Sequence, residues 1–125
     1  MTEKKKILIA EDDQRIVSSY KLLFRFQKNL ADFNLFWAET AAQAQALFLQ
    51  EKPALTLLDL GLGDGIPGYD VLKQLQGQVP DSCRIVVLSG YSEYEDMCLA
   101  AGAAAFLKKP LTKDQFLATV LEHTR

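Results

Sequence analysis

Five short runs of almost uninterrupted apolar residues punctuate this chain: ILIA at 7–10, LFWA at 35–38, ALTLL at 54–58, IVVL at 85–88 and AAAFL at 103–107. A strand with one wet face alternates apolar and polar residues, whereas a strand buried on both faces is apolar throughout. The pattern predicts strands near residues 5–11, 34–38, 54–59, 84–89 and 104–108. Between them, apolar residues recur at the three- and four-residue spacing of amphipathic helices. These helices are expected over 14–30, 41–52, 68–76 and 113–124, with a further one starting after Ser92. Ile16, Tyr20, Leu23 and Phe24 should face inward on the first. Ala44, Leu47 and Phe48 should do so on the second, Val71, Leu72 and Leu75 on the third, and Phe116, Leu117, Val120 and Leu121 on the last.

Helix boundaries carry their own signals. Thr40 with Gln43, Ser92 with Glu95 and Thr112 with Gln115 fit the capping box, in which two side chains satisfy orphan backbone donors reciprocally. Pro53 should stop the second helix and Gly77 should end the third in a left-handed conformation. Strands each followed by a helix imply right-handed crossovers, hence a parallel sheet covered on both faces. The expected fold class is α/β, a three-layer (βα)5 sandwich.

Charged residues stand where the apolar runs stop. Glu11 and Asp12 follow ILIA, Asp59 follows LTLL, and Lys109 lies just past AAAFL and precedes Pro110. If these runs are neighbouring parallel strands, their ends bring three carboxylates and an ammonium into one pocket. Two carboxylates about 5 Å apart repel by roughly 3 kcal/mol at an effective dielectric near 20, so such a cluster calls for a cation. An all-oxygen site with room for water suits Mg²⁺, a hard ion that completes its shell with phosphate oxygens. That combination points to phosphoryl chemistry.

Composition narrows the alternatives. At 125 residues the chain is expected to be one domain, 1–125, with no internal linker or repeat. Fourteen basic against sixteen acidic residues give a net charge of −2, and the one basic run, Lys4 to Lys6, precedes the first strand. Such a surface does not favour direct nucleic-acid binding. Cys83 and Cys98 match no metal or redox spacing and read as reduced thiols. No apolar stretch reaches the ~20 residues of a membrane span, and MTEKKK, running straight into the first predicted strand, is not expected to act as a signal peptide. The expectation is a cytoplasmic protein with no membrane contact.

The order ILIAEDD, LLDLGLGDG, VVLSG and FLKKP closely resembles the receiver domain of two-component response regulators, the CheY-like family, across essentially the whole chain. The resemblance implies a flavodoxin-like sheet of strand order 2-1-3-4-5 and a site at the switch point between the first and third strands. It implies that Asp59 is the phosphoacceptor, receiving a phosphoryl group from the phosphohistidine of a sensor histidine kinase or histidine phosphotransfer protein. Glu11, Asp12, Asp59 and the backbone carbonyl of Gly61 would be metal ligands, Asp12 directly and Glu11 through water, with Asp13 just outside. Mg²⁺ would be the ion, and Mn²⁺ could substitute.

By the same resemblance Ser89 supplies the hydroxyl that bonds the phosphoryl group, and Lys109 pairs with Asp59 at rest and with phosphate afterwards. Read from spacing alone, Lys108 and Lys109 are equal candidates; the family register of a lysine before proline selects Lys109, with a cis bond to Pro110. Gly90 would leave space for phosphate. Phe106 would be the switch aromatic beside Ser89, acting by packing because it has no hydroxyl. The signalling face would be helix 4, strand 5 and helix 5, with Tyr94, Met97 and Lys113 contributing, and its partner a downstream effector or output domain.

This chain departs from the family pattern in the loop 61–68, where Gly63 replaces a common proline and one residue is extra before Gly68. Gly61 and Tyr91 occupy positions that tune water access to the phosphoryl group. Two other readings remain at this level. One is a phosphorylation-independent receiver-like adaptor or dimerisation module. The other, a metal-dependent phosphatase, would want an aspartate where Gly61 stands.

Overall fold

The computed structural model describes residues 4–63, 65, 67–78 and 82–125. Five strands, β1 (Lys5–Ala10), β2 (Phe33–Ala38), β3 (Leu55–Asp59), β4 (Arg84–Ser89) and β5 (Ala105–Lys108), pair in parallel in the order β2-β1-β3-β4-β5. The helices are α1 (Gln14–Phe26), α2 (Ala41–Glu51), α3 (Gly68–Gln76), α4 (Glu95–Ala100) and α5 (Lys113–His123). Short 3₁₀ turns occupy Lys28–Leu30 and Ser92–Tyr94.

The continuous apolar runs are explained by two cores, one on each face of the sheet. Successive strand side chains point to opposite faces, so Ile7 and Ile9 join Leu55, Leu57, Val86 and Leu88 against Tyr20, Phe24, Phe116 and Val120 of α1 and α5. Leu8 and Ala10 join Leu58, Ile85 and Val87 against Phe48, Val71, Leu72, Leu75 and Cys98 of α2, α3 and α4. Burying each such aliphatic side chain is worth about 1.5–3 kcal/mol, so both faces hold the strands in register.

The strands begin and end within a residue of their expected limits, whereas several helix ends differ. Helix α1 stops at Phe26, not Leu30, because Gln27 is extended (φ −90°, ψ 117°) and residues 28–30 form a 3₁₀ turn. In a straight helix Leu30 would lie six residues, or about 240° around the axis, from the buried Phe24. The break rolls Leu30 into the core, where it is 2% exposed. Gly77 is not left-handed (φ −79°). Positive φ appears instead at Lys52, which closes α2 just before Pro53, and at Gly102 after α4.

One of the three capping boxes is complete. Gln115 N–H donates to Thr112 Oγ1 and Thr112 N–H to Gln115 Oε1. Gln43 N–H donates to Thr40 Oγ1, but the Gln43 side chain takes the N–H of Glu39 instead of that of Thr40. The Ser92–Glu95 box does not form. Ser92 lies inside the 3₁₀ turn closed by Tyr94 N–H on Tyr91 O, and α4 starts without a side-chain cap.

Candidate phosphoacceptor site

Backbone geometry brings the charged residues together at the carboxyl edge of the sheet. Glu11 extends the β1 ladder by one bond, its N–H donating to Ala38 O at 2.9 Å, and then the chain turns into α1, capped by Asp13 Oδ1 on Arg15 N–H at 2.9 Å. The cap accounts for Asp13 lying outside the pocket. Asp59 is the last residue of β3 and sits beside Leu88 of β4. Lys109 follows β5, its N–H donating to Ser89 O at 2.8 Å, and its bond to Pro110 is cis.

The side chains converge as the run-end pattern predicts. Oxygens of Glu11, Asp12 and Asp59 lie within 4.8 Å of one another, close to the roughly 4.2 Å between opposite ligands of an octahedral Mg²⁺. Glu11 is 2% and Asp59 7% exposed, while Asp12 faces solvent. The donor set is all oxygen, with an open side for water, and so fits a hard divalent ion. Asp59 Oδ1 also accepts the N–H of Gly61 at 3.3 Å.

Lys109 pairs with Glu11 as well as with the expected Asp59. Its Nζ hydrogen-bonds Glu11 Oε1 at 2.8 Å and lies 3.3 Å from Asp59 Oδ1, so Glu11 is the closer partner and Asp59 the second. Glutamate is one methylene longer than aspartate and reaches the ammonium from β1. Lys108 is exposed.

Electrostatics follow from burial. Burial pushes the Glu11 carboxyl above its ordinary range; the bond from Lys109 opposes this and nearby Asp59 adds to it. Burial alone would lower Lys109, but the hydrogen bond to Glu11 and the charge of Asp59 outweigh it and hold the ammonium above its usual value. Tyr20, buried nearby, is pushed up to about 12, first by burial and then by the charge of Glu11.

Ser89 is 3% exposed, and its Oγ accepts the N–H of Tyr91 at 3.1 Å. Phe106 is 9% exposed and packs into the core beneath α4. A Cβ on Gly90 or Gly61 would meet nothing within 4 Å, so both glycines border open space at the cavity. Gly68 is different: a Cβ would lie 2.3 Å from Leu60 Cα, so α3 can start against the end of β3 only with glycine there. In the loop 61–68, Gly61 bridges Pro67 and Gly63 N–H donates to Glu39 O, while Asp64 and Ile66 lie outside the described residues.

Above these groups opens a cavity of about 930 Å³. Asp59, Ser89 and Lys109 form its polar floor; Ile16, Tyr69, Tyr91, Tyr94, Met97 and Leu111 form apolar walls. Of these walls, Ile16 and Tyr69 carry only helical periodicity in the sequence, Leu111 lies in the connection before α5, and sequence reasoning did not single any of the three out for the site.

A doubly wound parallel α/β sheet binds its ligands beyond the carboxyl ends of the strands at the switch point, and here an acidic cluster and a lysine stand at that place. Comparison with known proteins supplies the class. The family model of the response regulator receiver domain matches residues 7–121. A Pseudomonas putida protein described as alginate biosynthesis transcriptional regulatory protein AlgB is 34% identical over 112 residues, covering 88% of this chain and 24% of that protein. The chain thus spans about a quarter of that relative's length. A CheY-like response regulator receiver domain from Methanospirillum hungatei superposes with a TM-score of 0.84 at 28% identity, covering 97% of this chain and 94% of that one. A Burkholderia pseudomallei response regulator, solved with a phosphorylated aspartic acid and a calcium ion, superposes with a TM-score of 0.75 at 27% identity, covering 91% and 65%.

This chain belongs to the response regulator receiver domain family of two-component signalling. Domains of this family are signalling modules and not conventional enzymes. No helix among the described residues is long and apolar enough to cross a membrane.

Proposed function

We propose that the chain accepts a phosphoryl group on Asp59 from the phosphohistidine of a sensor histidine kinase or histidine phosphotransfer protein. One observation carries this reading: Asp59, Glu11 and Asp12 share a pocket at neighbouring strand ends, with the Lys109 ammonium 3.3 Å from the Asp59 carboxylate. An Asp59 carboxylate oxygen attacks phosphorus, the P–N bond to the imidazole breaks, and the imidazole leaves with the electron pair. The product is an acyl phosphate, later cleaved by water.

Asp12, Asp59, Glu11 through water and the Gly61 carbonyl would hold Mg²⁺, for which Mn²⁺ could substitute. Bound there, the ion would supply positive charge to neutralise the phosphoryl oxygens. Lys109 pairs with one phosphoryl oxygen as a charge-assisted donor. Ser89 Oγ–H donates to another. Movement of Ser89 toward phosphate would leave room for Phe106 to repack, biasing the surface of α4, β5 and α5 toward a downstream effector or output domain. The relative with a phosphorylated aspartic acid supports this chemistry by analogy, and relatives that are transcriptional regulators support an output partner.

The same reading places the protein in the cytoplasm, as one domain over 1–125, with no direct contact to nucleic acid. An acidic cluster with its lysine intact favours a phosphoacceptor over a phosphorylation-independent adaptor, and Gly61 lacks the carboxylate a phosphatase would want.

Beryllofluoride or acetyl phosphate titration with Mg²⁺, followed by amide NMR shifts, tests the proposal. Wild-type protein should respond only with the ion present, and Asp59→Asn should not respond. An equal response from Asp59→Asn would reject the assignment.

A further inference from the structure

The exposed large apolar side chains among the described residues fall mostly on two patches. One is the outer face of α1, where Leu22 is 55% and Phe26 67% exposed. The other is the segment 91–99, with Tyr91, Tyr94, Met97 and Leu99; Leu49 on α2 stands apart. The patches have opposite charge. From Gln14 to Ala31 the chain carries Arg15, Lys21, Arg25 and Lys28 and no acid; from Ile85 to Leu107 it carries Glu93, Glu95 and Asp96 and no base. All seven of these charged side chains are exposed.

Aromatic anchors ringed by charge of one sign are what partner-binding surfaces present. A second copy could offer its basic α1 to this acidic surface. However, α1 and α4 pack on opposite faces of the sheet, so that contact would be head-to-tail and would propagate into open chains instead of closing. A separate partner of complementary chemistry is the better occupant.

The segment 91–99 is also joined to the site. Tyr91, Tyr94 and Met97 wall the cavity whose floor is Asp59, Ser89 and Lys109. Tyr91 N–H bonds Ser89 Oγ, and the Tyr91 ring meets Tyr94 edge-on at 6.3 Å. Ser89 is thus linked to the aromatic pair through a single hydrogen bond.

We propose that residues 91–99 dock a basic segment of a partner protein, which seats an apolar side chain against Tyr94 and Met97 and its cations against Glu93, Glu95 and Asp96. This names the partner chemistry for the output side of the phosphoacceptor reading, and rests on that reading for its regulation through Ser89 and Tyr91. Rim charges of this kind set partner choice and salt dependence more than affinity, while the aromatic and thioether groups supply the anchor.

The test uses two fluorescein-labelled amphipathic helical peptides, one of leucine and lysine, the other of leucine and glutamate at the same positions, titrated with the full chain by anisotropy. The lysine peptide should bind about tenfold or more tightly than the glutamate peptide, a difference of about 1.4 kcal/mol, and should weaken as salt rises. The triple variant Glu93→Lys, Glu95→Lys, Asp96→Lys should lose that preference, and the pair Tyr94→Ala, Met97→Ala should weaken binding at unchanged salt dependence. Lysine-peptide binding that survives the charge reversal overturns the proposal. So does concentration-dependent self-association of the protein alone that Arg25→Glu abolishes, since a second copy would then be the occupant. Beryllofluoride with Mg²⁺ separates the two readings. It should change lysine-peptide affinity in wild-type protein and not in Asp59→Asn. Binding that obeys the charge reversal but ignores beryllofluoride would retain the docking surface and defeat its control by Asp59.

Discussion

Glu11 is buried, hydrogen-bonded to Lys109 and close to Asp59, and these three facts set its response to pH. Its folded pKa lies above the ordinary value of 4.5, so the native state binds the proton more tightly than the unfolded chain does. Stability from this group is present below pH 4.5 and falls as pH rises through the raised native value. Lys109 acts oppositely in placement: its raised pKa adds stability at neutral pH that is lost only above its ordinary 10.5. In EDTA, the Tm of wild-type protein relative to Glu11→Gln should therefore fall as pH rises from about 4.5 toward neutrality. Added Mg²⁺ should flatten the trend, because a bound cation offsets the repulsion among ionised carboxylates. A Tm difference that does not vary with pH would show that burial does not raise the Glu11 carboxyl as described above. The run-end spacing disclosed Glu11, Asp12, Asp59 and Lys109 as a group, but not that Lys109 would bond Glu11 more closely than Asp59. That choice depends on the reach of one methylene across two strands.

The junction of β3 with α3 is the tightest backbone approach near the site. Gly68 N–H donates to Leu60 O at 3.0 Å, and a methyl group at Gly68 would strike the Leu60 backbone. Neither backbone can yield without moving Asp59 or the start of α3. Gly68→Ala should destabilise by about 2 kcal/mol or more, as overpacking against a fixed backbone does, whereas Gly61→Ala, which has open space around it, should stay within about 0.5 kcal/mol. Urea midpoints of the two variants check this, and equal midpoints would refute it. At this scale the strands were readable because continuous apolarity marks burial on both faces. Helix ends were less so. The stop of α1 is driven by the burial of Leu30, and the left-handed cap falls on Lys52 and Gly102 instead of Gly77, since these ends are set by what each helix packs against.

The sheet has a core on each side, and every strand contributes to both. Loss of either helical layer would expose half of each strand, so the layers should not melt separately. Urea unfolding followed by the fluorescence of Trp37, on the edge strand β2, and by far-UV circular dichroism should give one coincident transition. Separate midpoints would argue against a single domain over 1–125. The family resemblance supplied the strand order that the apolar runs could not, and the observed order agrees with it.

Local pattern alone determined that five doubly buried strands alternate with amphipathic helices and that acidic groups and a lysine end those strands. Tertiary structure decided which strands are neighbours, which carboxylate holds Lys109, and how the aromatic segment 91–99 walls the pocket. The reason is range: periodicity and capping are interactions between residues a few positions apart, whereas the bond between Lys109 and Glu11 joins residues 98 positions apart in the chain. Only the packed sheet brings them within reach.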